Sequence, residues 1–145
     1  MLALRRSDER GTVLLMFPAA VLIMFILGAM VIDVSLTQVR ARELESVAAS
    51  AANDALAGLD ISALRSGQGI VISDADARRF VEASVAAGPL AQASVENVSI
   101  SLDAQARTVI SVTLALHVNL VMAPAIGDLD EITLRRTEQA VILGS

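Results

Sequence analysis

The chain has no cysteine, no tryptophan, no tyrosine and no lysine, and its one histidine is His117. Without cysteine there can be no disulfide, no thiolate zinc ligand and no thiol nucleophile. A lone imidazole has no second His or Cys to share a metal with, so His117, on the polar side of an alternating segment, reads as a surface residue. A formal net charge of −5 and the missing Trp and Tyr both argue against nucleic acid as a partner, because phosphate needs a basic face and bases need stacking aromatics. Charge of either sign is scarce: 19% of the 145 residues are charged and 54% are hydrophobic, less charge than a soluble domain of this size carries.

The scarcity is concentrated. From Thr12 to Ile32 the chain reads TVLLMFPAAVLIMFILGAMVI, with no charged side chain. At about 1.5 Å per residue this stretch forms a helix of roughly 31 Å, the thickness of a bilayer's hydrocarbon. A core helix of a soluble protein would carry a polar stripe, and none is present. Residues 12–32 are therefore expected to span a membrane. Arg5, Arg6 and Arg10 precede the stretch, while Asp33 follows it and the next cation is Arg40. That bias places the N-terminal segment, residues 1–11, in the cytoplasm and everything after Asp33 outside it. A cleaved signal peptide fits less well. Its apolar region is shorter, and the small-x-small triplet Ala49-Ser50-Ala51 lies well past the apolar run. The expectation is a single-pass protein of the cell membrane.

Within the span Pro18 removes the hydrogen bond to the carbonyl of Leu14, which loosens or kinks the first turns. Gly28 next to Ala29 offers a close-packing position to a neighbouring helix. Asp33 carries a carboxylate that resists entry into lipid and so fixes the depth of the helix, and it is also placed to pair with a cation on a partner subunit.

Beyond the span the helical pattern continues. Leu36, Val39, Leu44, Val47, Ala51 and Ala55 recur at near-helical spacing, with no stop before Ala57. Residues 33–57 thus read as an exported continuation of the same helix, rich in Ala, with Leu44, Val47, Ala51 and Ala55 as a candidate packing face. Gly58 and the run from Arg65 to Gly69 end it, opening a small exported α+β domain at 58–145. A shorter helix begins after Ser73 as N-cap, has Asp74 and Asp76 in its first turn, buries Phe80, Val81 and Val85, and closes at Gly88-Pro89.

After Pro89 the period changes to two. Val98, Ile100 and Leu102 alternate with polar residues, as do Ile110, Val112, Leu114, Leu116, Val118 and Leu120. Pairing Leu102 with Thr108 across Ala104-Gln105-Ala106 puts both apolar sets on one face. A third strand is expected at 131–142, with its alternation broken at Arg135-Arg136. The fold class is α+β: a long N-terminal transmembrane helix continuing into an Ala-rich helix, a second short helix, and an antiparallel sheet of about three strands.

Arg10-Gly11 before the span, Phe17 within it, Gly28 and Asp33 with apolar residues between, and the Ala-rich VAASAANDALAGL at 47–59 resemble the N-terminal segment of the TadE/TadG-like proteins of tight-adherence (Flp) pilus systems. The C-terminal order is similar too: an alternating strand, the segment VMAPAIGDLDEITL at 121–134, and a last strand. The resemblance implies a pseudopilin-like, membrane-anchored component of a pilus or secretion machine. Its partners would be the lipid bilayer, other pilus or secretion-system membrane proteins, and copies of itself, with no catalysis and no cofactor. Processed pseudopilins of this family are cut after a Gly and carry Glu five residues on. Here the candidate cut follows Gly11 and the fifth residue is Met16, which favours the unprocessed TadG-like type. The metal-binding adhesion domain of the large members has no room in this chain.

Two local patterns point to metals more weakly. Asp33-Val34-Ser35-Leu36-Thr37 superficially resembles a DxSxS metal motif but follows a membrane helix instead of a sheet strand, and Asp128-Leu129-Asp130-Glu131 lacks the spaced ligands of a calcium loop. Nothing marks a nucleophile turn or an oxyanion loop, so no enzyme activity is expected. The alternative function is a stand-alone anchored module whose sheet or Pro124 loop binds a surface ligand or a secreted partner.

Overall fold

The computed structural model describes residues 9–58, 65–66, 72–105, 107–125 and 127–142, without the side chains of 9–13, 15 and 125. Arg5 and Arg6, residues 67–69 of the expected loop, and Ala106 lie outside the described residues. The elements run in the order α1 (Glu9–Asp54), a 3-10 turn (Ala55–Gly58), α2 (Asp74–Ala87), β1 (Ser94–Leu102), β2 (Thr108–Asn119), a 3-10 turn (Ala123–Ala125) and β3 (Glu131–Ile142). The fold is α+β, as the change of hydrophobic period requires.

Helix α1 is the longest element at 46 residues and continues through Pro18. The helical run Met16–Gly58 is long and apolar enough to cross a membrane, and only 11% of its most apolar window is buried within the chain. A core helix of a soluble protein would be mostly covered; this one shows Met16, Phe17, Leu22, Ile23, Met24, Phe25, Leu27 and Met30 to its surroundings.

The chain divides into two compact units, one of residues 1–36 with 120–130, the other of 37–119 with 131–145. The second unit holds the core. Ala41, Leu44, Val47, Ala48, Ala51 and Ala52 line one face of α1 and Ala55 opens the 3-10 turn after it, all but Ala41 within a single buried cluster that also takes in Ala77, Val81 and Val85 of α2 and the inner face of the sheet. Alanine suits a face buried in this way, because a side chain that ends at Cβ adds little volume to a close-packed interior. Val39, on the same near-helical count, remains 53% exposed; the buried stripe follows Ala41, Leu44, Ala48 and Ala51 instead.

Helix α2 has Ser73 in the N-cap position with extended backbone, but its hydroxyl makes no capping bond. The first turn is closed by the main chain, Ala77 N–H donating to the Ser73 carbonyl at 2.9 Å. Phe80 is half-buried, with the Arg79 guanidinium 5.5 Å from its ring centre, and Ala77 takes the deeper place with Val81 and Val85.

The sheet has the order β1-β2-β3, antiparallel throughout. Leu102 does pair with Thr108, and Ile110 pairs with Ile100 on one side and Ala140 on the other. Central strand β2 supplies the fully covered Ile110, Val112, Leu114 and Leu116. Strand β1 begins earlier than its alternation does, because the register shifts between Val95 and Asn97. This bulge lets Val95 and Val98, three apart, share the inner face.

The break at Arg135-Arg136 has a two-sided explanation. Arg135 lies on the outer face opposite Ala115, which is 2% exposed, and its Nε donates to both carboxylate oxygens of Glu96, the residue at the bulge, at 2.9 Å. Arg136 has inward parity opposite Leu114 yet is exposed. Nearby Glu138 lines an open cleft with Arg42, Glu45, Ser46 and Ala49 of α1.

The β1–β2 turn is tied by Asp103. Its Oδ1 accepts from the backbone N–H of Gln105 and Arg107 at 2.9 and 2.8 Å, and Oδ2 accepts from Arg107 Nε at 2.6 Å. The Arg107 backbone bond leads in holding the Asp103 carboxyl below its ordinary value; partial burial opposes it, and the Arg107 side chain and Gln105 N–H add to the lowering.

Two predictions follow from the packing and the turn. In detergent-solubilised full-length protein, Leu114→Ala should lower unfolding free energy by about 2–5 kcal/mol, and Ala51→Leu should lower it by about 1–3 kcal/mol through overpacking. Leu102→Ala, at an exposed position, should stay within about 0.5 kcal/mol of the parent. For Asp103 the lowered folded-state value means that its stabilisation is present above the unfolded carboxyl value and is lost as pH falls through the folded one. The stability gap between the parent and Asp103→Ala should therefore be full at neutral pH and close in acid; a gap independent of pH would contradict the assignment.

Candidate functional site

The first compact unit brings together two pieces of chain far apart in sequence: α1 up to Leu36 and the segment 120–130. The segment is a loop because its composition denies it a ladder. Pro124 has no N–H, and Gly127 and Asp128 favour turns. Its ends are pinned by Leu120 N–H donating to the Asp130 carbonyl at 2.9 Å, and its middle by Gly127 N–H donating to the Ala123 carbonyl at 3.0 Å. A 3-10 turn at Ala123–Ala125 follows the N–H groups of Val121 and Met122.

Those N–H groups meet Asp33. Its Oδ1 accepts from Val121 N–H at 2.9 Å and Met122 N–H at 3.1 Å, and its Oδ2 accepts from Met122 N–H at 3.1 Å and Ala123 N–H at 2.6 Å. The carboxylate is 7% exposed, the one buried charged group among the described residues. A carboxylate out of water needs compensation, and successive main-chain N–H groups turned inward form a concave anion-binding cradle that supplies it. Among the described residues no buried side-chain nitrogen or oxygen lacks a partner.

The neighbouring surface is apolar. Ala29, one turn before Asp33, is buried, whereas Met30, Val31, Ile32 and Val34 are more than half exposed. A groove on this unit is lined by Val21, Met24, Phe25, Gly28, Ala29, Ile32 and, from the loop, Met122. These helix positions are spaced three and four apart and so share one face.

The remaining residues singled out from sequence are placed as follows. Pro18 lies in α1 and is exposed, and Gly11 belongs to the first turns of the same helix. A Cβ at Gly28 would meet nothing within 4 Å. Leu44, Val47, Ala51 and Ala55 are all in the core cluster of the second unit, so this face is filled by the chain's own elements and is not offered to a partner helix. His117 lies on the exposed face of the sheet, with Nδ1 in contact with Glu131 Oε1 and 3.3 Å from Thr133 Oγ1. Among the described residues no group of three or more His, Asp or Glu is gathered as a metal would need.

Sequence reasoning singled out Asp33 but missed Val121, Met122 and Ala123. The turn signal at Pro124 and Gly127 was visible; the acceptor it faces, almost ninety positions upstream, is encoded by no local pattern. No family model, curated protein or solved structure matches this chain.

Removing the carboxylate should free the cradle. In Asp33→Ala the amides of Val121, Met122 and Ala123 should exchange with solvent faster than in the parent, while those of Leu114 and Leu116 in the sheet keep their protection. Asp33→Asn, which exchanges an acceptor oxygen for a donor NH2, should show an intermediate effect. Unchanged exchange in the Ala variant would show that the carboxylate does not hold the loop.

Proposed function

We propose that the chain is a membrane-anchored, pseudopilin-like component of a tight-adherence-type pilus or a related surface-fibre or secretion machine. The observation that carries this reading is the division of α1. One uninterrupted helix presents large apolar side chains over its first part and forms the core of an α+β unit with its last part. A module that only needed tethering could hang from any linker, whereas here anchor and domain core are made from the same element. The resemblance of the N-terminal segment and of the 121–134 segment to TadE/TadG-like proteins supports the same reading.

On this reading the cation-bearing N-terminus is cytoplasmic and the sheet lies on the opposite side of the membrane. The Ala-rich face is committed to the chain's own core, so neighbouring subunits meet the exposed face of the span. That face carries no charge and offers Gly28 as its point of closest approach.

Two measurements test the proposal. Intact mass of protein taken from its native membrane should match the full-length chain, since Met16 stands where a processed pseudopilin has Glu; a mass beginning at Thr12 would reassign it to the cleaved type. Gly28→Leu has open space around it and should leave thermal unfolding of the detergent-solubilised chain unchanged, but it should reduce recovery of membrane partners or of second copies after cross-linking. Undiminished recovery would count against assembly through this face.

A further inference from the structure

The loop at 120–130 is more exposed and more apolar than a solvent loop needs to be. Val121 is 63% and Leu129 57% exposed, yet both belong to a segment with defined internal hydrogen bonds. Met122 is half-buried and borders the groove that runs along the helix through Ile32, Ala29 and Phe25 to Val21. Asp33 fixes where this happens, because its carboxylate holds three consecutive loop amides at the end of the apolar stretch. The buried Ala29 lies four residues before Asp33, about 6 Å along the helix axis at the α-helical rise. A loop that covers this turn therefore overlaps the last turns of the span in depth.

We propose that the loop described at 120–125 and 127–130 is a second membrane contact: an interfacial loop that inserts Val121, Met122 and Leu129 at the boundary between headgroups and acyl chains, held at that depth by Asp33. This rests on the reading of residues 12–32 as a membrane span. The occupant of the exposed apolar surface is lipid, because the Asp33 tether puts the loop at the level where the helix leaves hydrocarbon. The depth also agrees with the ~5–10 Å to which interfacial apolar faces are buried. The chain needs such a device. Interfacial anchoring normally falls to Trp and Tyr, and this sequence has neither. Asp128 and Asp130 give the loop negative charge, so apolar burial drives the contact, and the headgroups it fits are zwitterionic.

The absence of native cysteine allows single-cysteine labelling with an environment-sensitive fluorophore (NBD) at Val121, Leu129 or Met24, each an exposed position. Full-length protein is reconstituted in phosphatidylcholine vesicles containing lipids with doxyl quenchers either near the headgroup or deep in the chain. An NBD–glutathione adduct supplies the aqueous reference. Probes at Val121 and Leu129 should emit to the blue of that reference and be quenched most by the shallow doxyl group, and the probe at Met24 most by the deep one. Aqueous spectra at Val121 and Leu129 with a deep Met24 would overturn the loop contact while leaving the span intact. An aqueous Met24 would overturn the span, and the loop contact with it. Adding Asp33→Ala should return the loop probes toward the aqueous reference without moving Met24; loop probes that stay shallow would overturn the holding role of Asp33.

Discussion

Helix α1 can fold into a core only because one of its faces is nearly free of side-chain bulk. Between Ala41 and Ala55 the buried stripe is alanine apart from Leu44 and Val47. That face, α2 and the inner face of the sheet share one buried cluster, and the apolar area it removes from water is the main favourable term available to a unit of this size. The sheet depends on it. A sheet with one apolar face must bury that face against another element, and β2 contributes four fully covered side chains to it. The turn at Asp103, the bulge at Val95 and the Arg135–Glu96 pair adjust register and edges around a face that already has its cover.

Asp33 answers a different requirement. A carboxylate at the edge of an apolar stretch is costly wherever water is scarce, and pairing it with a cation is one remedy. Here the remedy is backbone: amides that a proline-interrupted loop could not use in a ladder. Each side thus resolves a deficit of the other. The loop's donors gain an acceptor, the carboxylate gains donors, and the fold joins residues almost ninety positions apart.

Much of the architecture was legible because it is written in periodicity. The strands of the sheet, the Leu102–Thr108 register and the limits of β3 follow from alternation and its turn signals, and the length of α1 from the lack of any stop before Ala57. Other features escaped for identifiable reasons. The first residues of β1 hide behind a bulge, which makes Val95 and Val98 look out of phase. Ser73 has the right type and backbone for a cap, but the main chain closes the turn without its hydroxyl. Alanine marks a close-packing face without saying what packs there, and the occupant proved to be the chain's own sheet and α2. The Asp33 cradle was invisible for the deepest reason: three of its four participants act through backbone amides, which every residue but proline possesses, so their identities carry no signal.

The composition of α1 changes along its length in step with its surroundings. Before Asp33 the large exposed side chains are mostly Leu, Ile, Met and Phe; after Ala41 the buried ones of α1 are mostly Ala. Large flexible side chains suit a surface that meets a fluid, since they fill irregular space and need no fixed partner. Small ones suit a surface that meets a fixed sheet, where every extra methylene must be accommodated. Under the proposed reading the first medium is lipid and the second is the protein's own interior. Asp33, with the loop it holds, stands at the change between them. A charge there costs little once its oxygens are satisfied, and it prevents either half of the helix from sliding into the environment suited to the other.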